Sequence, residues 1–135
     1  MKNRGIKSAW GFAGTFLLAT VLGFVSNPIV GKYAFFITNT AHNLVHLATA
    51  VGFMIVAIRG ETASIRFMQV FGIVYVLTAL LGFVSLGGQP DGYLLHLIHI
   101  NVPDNFLHLA LGLSIEIAGW LSLGHRPQST VAGRA

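Results

Sequence analysis

"SAWGFAGTFLLATVLGFVSNPIVG", Ser8 to Gly31, contains no ionisable side chain. About 20 apolar residues, at 1.5 Å each in a helix, cross the hydrocarbon core of a bilayer, and "WGFAGTFLLATVLGFV" within this stretch is an apolar run of that kind. Three more follow, from about Ala41 to Ile58, from Phe67 to Val84 and from about Pro103 to Leu123. Four spans in 135 residues leave room only for short connections. The expected fold class is therefore all-α: a polytopic membrane protein whose four transmembrane helices form two tandem helical hairpins in a 2+2 pseudo-two-fold bundle. Residues 1–123 make one transmembrane domain, with repeats at about 10–58 and 67–123. Residues 124–135 read as a disordered cytoplasmic tail, in which His125 is solvated.

Composition points the same way. The chain is 54% hydrophobic and 9% charged, where a soluble domain carries about 25% charged residues. Having no cysteine, it can form neither a disulfide nor a thiolate metal site. The opening "MKNRGIK" before an apolar run resembles a secretory signal peptide. However, "GFVSN" offers bulky residues where a small-x-small cleavage site should stand, and part of the same segment recurs inside the chain.

The charges set the topology. Lys2, Arg4 and Lys7 precede the first span, Arg59 and Arg66 lie between the second and third, and Arg126 and Arg134 follow the fourth; Lys32 alone falls on the other side. Positive-inside bias then places both termini in the cytoplasm. The net charge of +4 is thus a topology signal rather than a nucleic-acid footprint. The partners expected are the lipid bilayer and a homo-oligomer or membrane-complex partner. Trp10 and Trp120 stand near the cytoplasmic ends of the first and fourth spans, as interfacial anchors do.

Two motifs recur in order. "LGFVS" stands at Leu22–Ser26 and Leu81–Ser85, while "NTAHNLVHL" (Asn39–Leu47) returns as "NVPDNFLHL" (Asn101–Leu109). The offset grows from 59 to 62 residues, so a helical hairpin is used twice and both copies enter the membrane in the same sense. Asn39 and Asn101 are placed to cap the second and fourth helices. Pro103 in the first turn needs no N–H partner, and Asp104 favours the positive end of the helix dipole.

Capping leaves His46 and His108 unexplained. Each lies two turns past its cap, roughly 10 Å along the helix, at a depth where polar groups face the bundle interior. Asn43 and Asn105, three residues earlier, share that helix face and could support the rings. His42 with His46, and Asp104 with His108, form two i,i+4 pairs, and three imidazoles with a carboxylate suit Zn, Fe or Cu. His46 and His108 alone would serve as axial ligands to a haem iron.

His96 and His99 read as part of an interfacial segment with imidazoles turned to water. Glu116 is the only ionisable residue deep in the fourth span and is a functional candidate by position. No phosphate loop or nucleophile elbow is present.

The "LGFVS" and Asn/His pairs make the chain resemble a bacterial family of small four-span membrane proteins, domain-of-unknown-function family 4383, from about Trp10 to Leu123. The resemblance implies an integral four-helix protein and supplies no activity. The first functional reading is a non-enzymatic structural or accessory membrane component with no cofactor. The alternatives are a haem- or metal-binding redox or sensor protein, and a small oligomeric transporter working through Glu116.

Overall fold

The computed structural model describes residues 3–123. Lys2, His125, Arg126, Arg134 and the proposed tail lie outside the described residues. Among these residues are four helices, each long and apolar enough to cross a membrane: α1 (Arg4–Phe24), α2 (Thr40–Arg59), α3 (Glu61–Leu86) and α4 (Val102–Leu123). α1 packs chiefly on α2 and α3 chiefly on α4, with lighter contacts joining the two hairpins. Where lipid is as apolar as leucine, helices associate through close packing of small residues rather than through hydrophobic burial. Ala9, Ala13, Ala50 and Ala57 accordingly line the core around Phe16 and Phe53. Leu18, Val21, Val70, Leu81, Ile117 and Leu121 remain exposed, as lipid-facing positions should.

The third helix starts earlier than its apolar run. α3 begins at Glu61, and only Gly60, in a positive-φ conformation (φ 108°), separates it from α2. "RGETASIR" is therefore mostly helix rather than loop. The Glu61 carboxylate explains this: Oε1 accepts from the Gly5 N–H at 2.8 Å and Oε2 from the Ile6 N–H at 3.0 Å. These donors belong to the first turn of α1, where no intrahelical partner exists and the helix dipole favours an anion.

The connection before α4 is also more ordered than an interfacial coil. β3 (Asp91–Leu94) pairs antiparallel with β4 (Ile98–Asn101). Leu95 and His96 form the turn with φ of 52° and 58°, and the Leu97 N–H closes on the Leu94 carbonyl at 3.1 Å. Two successive positive φ values mark a type I′ turn, whose twist suits a two-stranded hairpin. The earlier connection holds a two-residue parallel pair, β1 (Val30–Gly31) and β2 (Phe36–Ile37).

At the end of α1 the last carbonyls need donors from elsewhere. Asn27 Nδ2 donates to Leu22 O and Val25 O, each at 2.7 Å. Asn43 Nδ2, from α2, donates to Gly23 O at 2.8 Å.

Candidate metal centre

The Asn/His motifs open α2 and α4 at the same end of the bundle. Asn39 Oδ1 accepts the His42 N–H at 2.9 Å, and Asn101 Oδ1 accepts the Asp104 N–H at 3.1 Å. Both cap asparagines do more than cap. Asn39 Nδ2 donates to Leu97 O in the hairpin turn at 2.8 Å, and Asn101 Nδ2 donates to Phe35 O at 2.9 Å. Each helix start is thereby tied to the connection of the other half.

With that register set, the i,i+4 positions face inward. His42, Asp104, His46 and His108 are all buried. The rings of His42 and His46 lie 4.5 Å apart between centroids, those of His42 and His108 5.3 Å, and those of His46 and His108 5.8 Å. One ligating nitrogen from each ring falls within 4.8 Å of the others. Ligands of a tetrahedral ion at 2.0–2.1 Å stand ~3.4 Å apart, so closing on an ion takes sub-ångström inward rotations.

Asp104 sits between two of the rings. Its Oδ1 is 3.6 Å from His108 Nε2 and its Oδ2 is 3.9 Å from His42 Nε2. Both separations exceed hydrogen-bond length. His42 Nδ1 lies 2.8 Å from the His99 carbonyl oxygen. A carbonyl can only accept, so Nδ1 carries the proton and Nε2 is left as a lone pair facing the carboxylate. This outer hydrogen bond fixes the tautomer and ring angle a ligand needs.

Polar groups at this depth normally have partners. Here His42 Nε2, His46 Nδ1, His108 Nε2, Asp104 Oδ2 and the Tyr75 hydroxyl are all buried without a hydrogen bond. Tyr75, on α3, packs its ring against His108 at 4.8 Å. Leu94, Ile98 and Ile100 of the hairpin close the outer side of a cavity of about 30 Å³ lined by the three histidines and Tyr75. That volume accepts one water or one ion. A porphyrin needs several hundred cubic ångströms, against about 30 Å³ here.

Asn43 and Asn105 turn from the histidines toward the facing helices. A Cβ at Gly23 would overlap the Asn43 carboxamide, and one at Gly82 would overlap that of Asn105. The two recurring motifs thus meet, each "LGFVS" glycine seating the asparagine of an Asn/His stretch. The seats differ in one respect. α1 stops just past Gly23, whose carbonyl is free to accept from Asn43, whereas α3 continues to Leu86 and supplies the Gly82 carbonyl with its own partner. Asn105 Nδ2 is left without an acceptor, at the edge of the histidine cavity.

Glu116 is not part of this cluster. It lies against Gly72 of α3, and its Oε1 accepts from Trp120 Nε1 at 2.5 Å. His99 is half-buried on the hairpin, stacked on Tyr93 with centroids 4.5 Å apart, and its Nε2 is 3.0 Å from Asp91 Oδ2. His96 is exposed at the turn. Of the groups at the centre, Tyr75 carried no sequence signal beyond standing 59 residues after Phe16, which packs on His46 at 5.8 Å.

Comparison with known families matches residues 7–121 to the model described as "Domain of unknown function (DUF4383)". The chain belongs to that family. The match runs from the first turns of α1 almost to the end of α4, so the DUF4383 unit is the whole bundle and includes the histidine cluster. Searches of curated proteins and of solved structures found no match.

Proposed function

We propose that this DUF4383 protein is a multi-pass protein of the bacterial cytoplasmic membrane, with both termini inside, that holds one transition-metal ion between His42, His46 and His108, with Asp104 as the fourth ligand. The observation that carries this reading is the convergence of buried ring nitrogens without hydrogen-bond partners, from both helical hairpins, on one ion-sized cavity, with Asp104 beside two of the rings. A structural cluster would pair these atoms with one another, because an unmade buried hydrogen bond costs about 1–3 kcal/mol. Three neutral imidazoles and a carboxylate suit zinc, copper or iron. One carboxylate on a divalent ion also offsets much of the charge that the hydrocarbon would oppose.

The orientation rests on Arg4, Lys7, Arg59 and Arg66 gathering at one end of the bundle and Lys32 at the other. A duplication of the hairpin is supported by paired burial at the same offsets. Phe53 of α2 and Ile115 of α4 are fully buried, and Gly23 and Gly82 each seat an asparagine. In this reading the second copy diverged to contribute the oxygen donors, with Asp104 standing where the first copy has His42 and Tyr75 where it has Phe16.

Thermal unfolding in mild detergent tests the proposal, using protein without a histidine tag and stripped by chelator. Added Zn²⁺ should raise the midpoint of the parent, with an excess over Kd of 100-fold worth about 2.7 kcal/mol. His46→Ala and His108→Ala should lose that response. An equal response in all three proteins would place the metal elsewhere.

A further inference from the structure

Metal ligation by His42, His46, His108 and Asp104 leaves one polar group of the cluster without a role, the Tyr75 hydroxyl. Tyr75 is 5% exposed, its hydroxyl makes no hydrogen bond, and it lines the cavity of about 30 Å³ beside the three rings. Burying a hydroxyl without a partner is unfavourable, and packing does not call for one here. Phe16, 59 residues earlier, does the same packing in the first hairpin. It lies against His46 at 5.8 Å between centroids, as Tyr75 lies against His108 at 4.8 Å.

The cavity wall offers the hydroxyl no acceptor. Val45, Leu94, Ile98 and Ile100 are aliphatic, and the Thr78 hydroxyl donates to Val74 O of its own helix at 2.9 Å. The Asn105 carboxamide is packed on Gly82, and its unpartnered Nδ2 is a further donor. Asp104 flanks His42 and His108 without lining the cavity. An ion held by the three nitrogens and that carboxylate therefore still faces the space beside Tyr75.

We propose, resting on the metal reading above, that this space is a ligand position on the ion, which takes one small monodentate ligand held between the metal and the Tyr75 hydroxyl. The O–H donates and the ligand accepts. About 30 Å³ is one water's share of the liquid, so the ligand is of the size of water, hydroxide or fluoride, and phosphate, sulfate and carboxylates are too large. In a low-dielectric interior a hydrogen bond to an anion is stronger than in water. A position of this kind separates a site that exchanges a ligand from a closed structural one.

Fluoride on the copper-loaded protein tests this, because the fluorine nucleus splits the Cu²⁺ electron paramagnetic resonance signal only when it binds the metal. The full untagged chain in mild detergent is stripped, given one equivalent of Cu²⁺ and titrated with fluoride to equilibrium. The parent should show the splitting. Tyr75→Phe should keep its copper and bind fluoride about tenfold more weakly, the loss of one hydrogen bond to a charged ligand. The substitution removes only an unpartnered hydroxyl and leaves the side chain that the first hairpin uses at this place, so the variant should fold as the parent does. A copper signal unchanged in His46→Ala would sink the metal reading itself. Copper at the cluster without fluorine splitting, equal fluoride affinity in Tyr75→Phe, or loss of copper from that variant would each overturn the ligand position and leave the metal reading standing.

Discussion

Gly23→Ala separates this packing scheme from intrinsic helix preference by sign. Alanine is the better helix former by up to about 1 kcal/mol, so propensity alone has the substitution stabilise α1. The structure gives the opposite result, since the new Cβ would overlap the Asn43 carboxamide. Overpacking of this kind costs about 1–3 kcal/mol. Displacing Asn43 also removes its bond to Gly23 O, and such interhelical bonds in membranes are worth about 0.6 kcal/mol, up to about 1.7. The net expectation is a loss of about 1–3 kcal/mol, measured by reversible unfolding in mixed micelles. Asn43→Ala relieves the overlap, so the double variant should be more stable than the sum of the single effects, by about 1–2 kcal/mol. A Gly23→Ala protein as stable as the parent, or strictly additive effects, would refute the Asn–Gly seat.

Other expectations follow from the same geometry. Gly82→Ala should destabilise less than Gly23→Ala, by roughly the value of one hydrogen bond, because Asn105 makes none to lose; the same unfolding assay compares them. Glu61→Ala should cost about 1 kcal/mol by removing the cap on the first turn of α1, visible as faster amide exchange at Gly5 and Ile6. Glu116→Gln can retain an oxygen acceptor for Trp120 and should change stability by less than about 0.5 kcal/mol. If the protein moved solute through Glu116, liposome flux would vanish in that variant, and intact flux would remove Glu116 from the mechanism. Metal and protons compete for the same imidazole lone pairs, so occupancy should fall as the pH drops toward 5 in equilibrium dialysis.

Much of the architecture was legible because hydrocarbon imposes a length and a charge pattern on each span. The starts of α2 and α4 were readable for a related reason: Asn39 and Asn101 act on donors three residues away, within reach of local sequence. What escaped depends on contacts between segments. The early start of α3 escaped because the partners of Glu61, Gly5 and Ile6, lie on another helix. The hairpin over the cluster was hidden because "YLLHLIHIN" is apolar on both faces, with Leu94 and Ile100 buried inward and Leu95 and Leu97 exposed. Spacing indicated that His42, His46, Asp104 and His108 share inward faces, but not that Asn43 and Asn105 turn to Gly23 and Gly82. That depends on how closely the helices approach, which the two "LGFVS" glycines permit.

The central claim is most directly tested by elemental analysis of the untagged protein purified from membranes in mild detergent, alongside His46→Ala and His108→Ala. The account predicts close to one zinc, copper or iron per chain in the parent and none in either variant, with helical content retained in all three. A folded parent free of transition metal, or variants that keep the metal, would contradict it.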